Sequence, residues 1–442
     1  MHRLNALLSP GIGIKRWLAI FVLGLLLFGL GVGFAMAAPL NQKILPILRA
    51  ITFGEQTPFV RGGIFILMGL VLVAFALFRT YRLFLPGVIR SRGQLDPLNA
   101  LMQQRRQRQG LRIVSIGGGT GMSTLLRGLK QKTSNLTAIV TVSDDGGSSG
   151  RLREDLRVPP LGDARNCLVA LSESEPLLEE LFSYRFNAGT SLGGHSLGNL
   201  LLAALYDIRG GFQESLEAAA ELLPLSGKVV PASAHSNVVL VGQTMAGHLL
   251  KGESAIGNAP EPLQRVWLEP QGAVASEAAL EAIRGADLIV IGPGSLYTSI
   301  IPNFLFEGMR EAIVASPVPK VFICNVATQL HETDGYDVAD HLRVFQQLTG
   351  VPVTHVLVNS HAVPLPQGSD QASIAPQSRI NGYQGAVVLA DVVDEEFPTR
   401  HDPRKLAEAL VGIESRSRVR SRHRHRNNQF PTPQAIGKQR RE

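Results

Sequence analysis

Cysteine is scarce in this sequence of 442 residues, which contains only Cys167 and Cys324. Two cysteines this far apart exclude a disulfide framework and a cysteine-based metal cluster. Each stands in an apolar stretch, where a small buried thiol is the expected role. The pattern fits a reducing compartment.

The middle of the chain also lacks an excess of positive charge, although the whole chain has a formal net charge of +7. Residues 1–110 carry 13 basic and 2 acidic side chains, and residues 415–442 carry 9 basic and 1 acidic. Residues 111–414 therefore carry 21 basic and 33 acidic side chains. This distribution argues against a basic nucleic-acid groove in the folded part.

Two long apolar runs occur near the N-terminus. Residues 17–42 contain no charged side chain, and their densest part, 17–38, has the length that a helix needs to cross a bilayer. A second run covers 62–80. Flanking basic residues favour a hairpin with both ends inside, so the large domain and the tail are predicted to be cytoplasmic at the inner membrane. A cleaved signal peptide is the alternative, because Ala35-Met36-Ala37 resembles a cleavage site.

The remaining chain divides into three segments by composition. Residues 90–110, rich in Arg and Gln, are predicted to form a basic linker that either contacts anionic lipid or is simply solvated. Residues 111–410 are predicted to form the folded, ligand-binding domain. Residues 411–442 alternate arginine with serine and histidine, which predicts a disordered tail. The tail either binds anionic lipid or RNA, or has no dedicated partner.

Short apolar runs alternate with helical stretches from Leu111 onward, which indicates an α/β fold with a mainly parallel sheet covered by helices. The expected strands are 111–116, 137–142, 286–291, 320–326, 354–359 and 386–392. The expected helices include 123–130, 176–182, 197–208, 212–222, 276–284 and 338–349. Short β-like pieces predict a small antiparallel insert within 228–270.

The first predicted strand leads into a glycine-rich loop, Gly117–Gly121, and then into a helix. Glycines let the backbone approach an anion closely, and the unpaired N–H groups of a helix N-terminus attract negative charge. The loop is therefore predicted to bind phosphate, and a tight turn without a ligand is the alternative. Met122 stands where the dinucleotide fingerprint has its last glycine, and no Gly-Lys-Ser/Thr follows, so neither of those motifs is complete.

The second predicted strand ends in a loop that contains Asp144 and Asp145, followed by Ser148 and Ser149. Ligands of open parallel sheets bind at the carboxyl ends of strands, so this loop is expected beside the first one. An Asp at this position suits a ribose hydroxyl, and two adjacent Asp residues also suit a hydrated Mg²⁺ beside phosphate. A helix-capping turn is the alternative.

Four further segments offer polar groups to the same cleft. Arg165 and Asn166 begin a predicted helix, where the guanidinium either binds a phosphate or pairs with a nearby carboxylate. A second glycine turn contributes Gly194, His195, Ser196 and Asn199. His195 is either a proton carrier or a structural hydrogen-bonding group. Gly294, Ser295 and Thr328 follow two other predicted strands. Together these loops predict one anion-accepting cleft.

These loops closely resemble those of the bacterial gluconeogenesis factor proteins, within the 2-phospho-L-lactate transferase-like superfamily. The resemblance covers about residues 111–350, excludes the two spans and the tail, and rests on motifs in the same order: Gly117–Gly121, Ser143–Arg153, Gly162–Asn166, Gly193–Asn199, Gly292–Ser299 and Asn325–Gly335. It implies a modified Rossmann-like fold, often dimeric. It also implies phosphate contacts on Gly118, Gly119, Thr120 and Gly121, and a ribose or metal role for Asp144 or Asp145.

The resemblance implies one of two functions. The gluconeogenesis-factor branch implies binding of a UDP-sugar such as UDP-N-acetylglucosamine, without catalysis, in support of cell-wall synthesis and cell shape during gluconeogenic growth. The transferase branch implies Mg²⁺-dependent transfer of a phospholactyl group from a guanosine diphosphate-linked donor to a deazaflavin alcohol. A nicotinamide or flavin oxidoreductase is disfavoured by Met122.

The first function is the prediction, because wall synthesis consumes its precursors at the membrane, where the two apolar runs would anchor this chain. No catalytic residue is assigned, and Mg²⁺ is the one cofactor considered. The expected partners are a nucleotide ligand, the membrane, a second copy of the chain and cell-wall synthesis proteins, with no specific nucleic acid.

Overall fold

A computed structural model of the protein contains two compact units, Met1–Arg105 and Arg106–Glu442. The structure describes residues 14–36, 58–90 and 107–414, except 174, 188, 190, 191, 236, 366 and 367. Most of the predicted linker and residues 415–442 of the predicted tail lie outside the described residues. The first four residues of that predicted tail, 411–414, are helical.

The first unit contains two long helices, α1 (Ile14–Met36) and α2 (Pro58–Arg90). The segments Arg16–Gly33 and Gly62–Arg79 within them are long and apolar enough to cross a membrane, judged by length and composition. The Trp17 and Phe75 rings meet edge to face at 5.8 Å, and the Arg79 guanidinium lies 5.5 Å from the Trp17 ring. The start of α1 therefore lies beside the C-terminal part of α2, and the two helices are antiparallel.

Glycines allow α1 and α2 to pack closely. A Cβ atom at Gly69 would lie 2.7 Å from the Gly24 carbonyl oxygen, and one at Gly31 would lie 2.8 Å from that of Gly62. Any larger residue would force the two backbones apart. Small residues at such crossings are typical of helices that associate in membranes.

The second unit is built on a seven-stranded, fully parallel sheet in the order β10-β9-β8-β7-β1-β2-β3. Its strands are β1 (Ile113–Gly117), β2 (Leu136–Val140), β3 (Lys228–Pro231), β7 (Leu288–Ile291), β8 (Lys320–Ile323), β9 (His355–Asn359) and β10 (Ala386–Ala390). A separate antiparallel sheet contains β4 (Val239–Thr244), β5 (Leu249–Lys251) and β6 (Leu263–Glu269).

Helices cover both faces of the main sheet, as in a Rossmann-like fold. They are α3 (Gly119–Leu129), α4 (Gly147–Leu156), α5 (Gly162–Leu171), α6 (Glu175–Ser183), α7 (Leu197–Arg209), α8 (Phe212–Leu222), α9 (Glu253–Gly257), α10 (Glu277–Gly285), α11 (Met309–Ala315), α12 (Val338–Thr349) and α13 (403–414). A π-helical turn, Leu296–Ile300, and a 3₁₀ turn, Ile301–Phe304, follow β7.

The predicted α/β architecture is confirmed. Every residue of β1, β7 and β8 is buried, which explains why these strands are continuous apolar runs rather than alternating ones. All six predicted strands are present, and the antiparallel insert lies inside the predicted segment. Strand β3, at the start of the segment 228–270, was not among the predicted strands, and it pairs with β2 at the edge of the main sheet. Pro231 is tolerated there because an edge strand can lack one N–H donor.

Candidate functional site

The candidate site lies where the chain order reverses across the sheet. From β1 the chain proceeds to β2 and β3 on one side, and later returns through β7 to β10 on the other. The carboxyl ends of β1 and β7 flank this switch point, which is where open α/β sheets bind ligands. A cavity of about 550 Å³ opens there. It is lined by residues after β1, β7 and β8, by α9 of the insert and by residues 399–401.

The loop after β1 is closely packed around two of its glycines. A Cβ atom at Gly118 would lie 2.2 Å from the Asp163 Oδ2 atom, and one at Gly121 would lie 2.5 Å from the Pro293 carbonyl oxygen. Helix α3 begins at Gly119, so its first N–H groups point out of the helix end. Asp163 accepts the Gly119 N–H. In the part of the chain that the structure describes, no hydrogen bond occupies the N–H groups of Thr120 and Gly121.

Asp144 and Asp163 form a pair of buried carboxyl groups behind this loop. Burial, and then the charge of Asp144, raise the pKa of Asp163 to about 7. Burial is also the main cause that raises the pKa of Asp144, whose Oδ1 atom accepts the Gly146 N–H at 2.8 Å. The pair therefore tends to retain a proton near neutral pH.

Asp145 has a different role from its neighbour. Its Oδ1 atom accepts the Ser254 N–H at 2.8 Å, which connects the loop after β2 to helix α9 of the insert. Among the described residues, no group of three or more His, Cys, Asp or Glu side chains has the geometry of a metal site. Asp144 and Asp163 alone suit a Mg²⁺ ion only if ligand phosphates and waters complete its coordination.

Glu253, at the start of α9, brings an acidic group from the insert to the cavity. Its Oε2 atom is buried and has no hydrogen-bond partner within the described residues. Burial, followed by the charges of Asp144 and Asp163, raises the pKa of Glu253 to about 10. Glu253 therefore holds its proton at neutral pH and offers the ligand both a donor and an acceptor.

Glu332 follows β8 and also lines the cavity. It is 8% exposed, and its Oε1 atom accepts the N–H groups of Tyr297 at 3.0 Å and Thr298 at 3.2 Å. The Ser295 hydroxyl donates to the Oε2 atom. Burial is the largest effect and raises the pKa of Glu332 overall, whereas these donors oppose that shift. The Glu332 carboxyl group thus already occupies the donors of the helical turn after β7.

Arg400 and His401 reach the cavity from the segment after β10. Arg400 is the only Lys or Arg among the described residues that line the cavity, and its guanidinium lies 5.4 Å from the Phe397 ring. Burial lowers the pKa of His401 to about 4, so its ring is neutral. Since a carbonyl can only accept, the His401 Nε2–H must donate to the Cys324 carbonyl oxygen, at 3.3 Å.

Most of the remaining predicted residues form a second polar network outside the cavity lining. The Arg165 guanidinium donates to Ser196 Oγ at 2.7 Å, to Asn199 Oδ1 at 3.2 Å and to Asn166 Oδ1 at 2.8 Å. Asn199 Nδ2 donates to Ser148 Oγ, which lies 3.2 Å from the Nδ1 atom of His195. These bonds join the starts of α4, α5 and α7, and they give His195 a hydrogen-bond partner.

Three other predicted residues have structural contacts. Ser149 Oγ accepts the Gly162 N–H at 3.0 Å. Gly194 has a φ of 79° and lies against the Arg151 guanidinium. Thr328 exchanges hydrogen bonds with Ala372 on a neighbouring segment.

Sequence reasoning placed six residues at the cavity lining: Gly118, Gly119, Thr120, Gly121, Gly294 and Ser295. It missed Glu253, Glu332 and Arg400. Glu332 stood within a quoted motif, but nothing in the sequence pattern indicated that it meets the loop after β7. Glu253 and Arg400 lie in segments without a ligand motif, so no sequence signal marked them.

The chain matches a family model described as 2-phospho-L-lactate transferase CofD over residues 113–386. It is 45% identical to the gluconeogenesis factor of Bacillus subtilis over 311 residues, which cover 68% of this chain and 98% of that protein. The chain belongs to the CofD family, in the branch of the gluconeogenesis factors. A crystal structure of a Bacillus halodurans protein has 45% identity and a TM-score of 0.64, over 68% of this chain and 99% of that one.

The alignments with relatives cover different shares of this chain. A relative from Nostoc is 41% identical over 426 residues, covering 93% of both chains. An alignment of that length reaches into the first unit, because Arg106–Glu442 has only 337 residues. The B. subtilis relative is matched almost completely by 68% of this chain.

Proposed function

We propose that this gluconeogenesis-factor protein binds a UDP-sugar such as UDP-N-acetylglucosamine and acts as a membrane-anchored regulator of cell-wall synthesis and cell shape during gluconeogenic growth. The observation that carries the proposal is the cavity at the switch point. At this cavity, ligand phosphates can accept hydrogen bonds from the free N–H groups of Thr120 and Gly121 and can pair with the Arg400 guanidinium. Hydrogen bonds from a helix N-terminus and a guanidinium are a common combination for phosphate.

The first unit supports the anchoring part of the proposal. Because α1 and α2 are antiparallel, Arg16 and Arg79 lie at the same end of the pair, next to Trp17. Basic residues mark the cytoplasmic side and Trp marks a membrane–water interface. This orientation would place the ligand-binding unit in the cytoplasm. As part of the same proposal, the protein forms a homodimer and contacts cell-wall synthesis proteins.

A phospholactyl transferase is the second candidate, and the paired carboxyl groups of Asp144 and Asp163 favour it. Asp144 and Asp163, next to the backbone of the loop after β1, would hold a Mg²⁺, which would supply positive charge to a ligand phosphate. The two functions differ in one outcome, which is whether the bound ligand is consumed.

Titration calorimetry on the full-length protein in detergent tests the proposal. We expect UDP-N-acetylglucosamine to bind and to be recovered intact by chromatography after incubation with Mg²⁺. Absence of heat with every UDP-sugar would refute the proposal. Turnover of a nucleotide-linked phospholactate with a deazaflavin alcohol would establish the transferase.

Arg400→Gln tests the phosphate end of the site. Removing the guanidinium leaves the ligand phosphates with backbone donors alone, so we expect affinity to fall by about 10- to 100-fold. Arg404→Gln is the matched control, because Arg404 is exposed and does not line the cavity. Equal losses in both variants would indicate a non-specific charge effect.

A further inference from the structure

The turn after β7 has the form of an anion site, and its anion is Glu332. Backbone N–H groups at the start of a helical turn, together with hydroxyl groups, bind anions such as phosphate. Here the N–H groups of Tyr297 and Thr298 and the hydroxyl of Ser295 all donate to one carboxylate. A ligand phosphate cannot use these donors while Glu332 holds them.

Several contacts hold Glu332 in this position. Gln329 N donates to the Thr333 hydroxyl at 2.9 Å, and His331 N donates to Asp334 Oδ2 at 2.7 Å, so the loop is braced on both sides of Glu332. Moving the carboxylate out would leave two buried backbone N–H groups without an acceptor. Unpaired buried donors are costly, which favours a permanent position over a displaceable one.

The three donors also favour the ionised form of Glu332, because hydrogen bonds to a carboxylate stabilise its charge. The Glu332 carboxylate, held by these donors, therefore lines one side of the cavity, while the free N–H groups of Thr120 and Gly121 and the Arg400 guanidinium attract anions. Two like charges brought together in such a cavity repel each other.

We propose that Glu332 is a specificity-determining residue, which closes the second anion site and rejects ligands that carry a negative charge beyond their phosphates. The inference rests on the proposed function and narrows the class of ligand to a nucleoside diphosphate joined to an uncharged group. A phospholactyl donor carries a carboxylate in addition to its phosphate, so the same residue disfavours it.

UDP-glucose and UDP-glucuronate provide the test, because they differ mainly by one carboxylate on the sugar. Both are titrated into the full-length protein in detergent. We expect wild type to bind UDP-glucose at least 10-fold more tightly than UDP-glucuronate. Glu332→Gln, which is isosteric and keeps an acceptor oxygen for the Tyr297 and Thr298 N–H groups, should reduce that ratio at least threefold. Glu311→Gln removes a charge from an exposed side chain outside the cavity lining and should keep the wild-type ratio.

The possible results separate the two claims. No binding of either ligand by wild type would overturn the proposed function and this inference with it. Tight binding of both ligands with equal affinity would overturn the inference alone. A ratio that Glu332→Gln leaves unchanged would do the same. Thermal unfolding shows whether the Gln variant folds. If it does not fold, the ratio measured for wild type still tests the inference, because equal affinities for the two ligands would refute selection by Glu332.

Discussion

The loops after β1 and β7 look alike in sequence but differ in their electrostatic state. Each follows a fully buried strand, contains glycine and leads into a helical segment. The loop after β1 retains two free N–H groups, at Thr120 and Gly121, whereas the corresponding donors after β7 are taken by Glu332. A glycine-rich strand end is thus a potential anion site, and a residue far along the chain determines whether it is available.

The acid beside each loop explains part of this difference. Asp163 takes only the Gly119 N–H of the loop after β1, and its pKa of about 7 means that much of its population is uncharged at neutral pH. Glu332 receives two backbone donors and a hydroxyl. The loop after β1 therefore remains attractive to phosphate, and the loop after β7 does not.

The largest effect should come from Gly121→Ala. The added Cβ atom would lie 2.5 Å from the Pro293 carbonyl oxygen, so the loops after β1 and β7 would have to separate. We expect loss of at least 100-fold in UDP-sugar affinity and a decrease of about 2 kcal/mol in the free energy of unfolding. Calorimetry and denaturant unfolding measure the two effects.

Gly285→Ala is the matched control for this change. Gly285 ends helix α10, and a Cβ atom there would meet no heavy atom within 4 Å. This variant should bind and unfold like wild type. If Gly121→Ala also behaved like wild type, close contact between the loops after β1 and β7 would not be required for binding or for stability.

The sequence predicted the phosphate loop, its neighbours and the sheet beneath them, because these depend on local signals. Buried parallel strands are apolar runs, and helices with polar caps began where predicted, as at Ser196, Ser276 and Asp337. Helix α4 was not predicted, since its glycine-rich start resembles a loop. Strand β3 was not predicted, because four residues ending in Pro231 carry little strand signal.

The electrostatics of the site could not be predicted in the same way. Glu253 reaches the cavity only because the insert folds back, and Arg400 only because the chain returns after β10. Ser148, His195 and Asn199 resembled ligand groups in sequence, and the structure shows them bonded to one another. Polar residues at turns look identical whether their partner is a ligand or a neighbouring side chain.

A smaller effect is expected from Asp163→Asn, and it should depend on pH. Between the ordinary Asp pKa of about 4 and the folded-state value of about 7, the native protein holds a proton that the unfolded chain has released. The wild-type contribution of Asp163 to stability is therefore present at low pH and is lost as pH rises through 7. Asn cannot ionise. The free energy of unfolding of the variant, relative to that of wild type, should therefore increase by roughly 2 kcal/mol from pH 5 to pH 8.

Denaturant unfolding at several pH values measures this difference, and Asp370→Asn, at an exposed position, is the control. A constant difference between Asp163→Asn and wild type across this range would show that Asp163 is fully ionised in the folded protein. In that case the loop after β1 would carry its own negative charge at neutral pH, and the contrast with the loop after β7 would disappear.

The smallest effect should come from Ser295→Ala, which removes one of the three donors to Glu332 while leaving its charge in place. We expect a loss of about 1 kcal/mol in stability, the usual net value of one buried hydrogen bond, and slightly more where the acceptor is charged. The ratio of UDP-glucose to UDP-glucuronate affinity should stay as in wild type, because the two backbone donors still hold the carboxylate. Ser254→Ala, at an exposed serine, controls for the loss of a hydroxyl group. A ratio that falls along with stability would mean that Glu332 moves once the hydroxyl is gone, so that the anion site after β7 is only loosely closed.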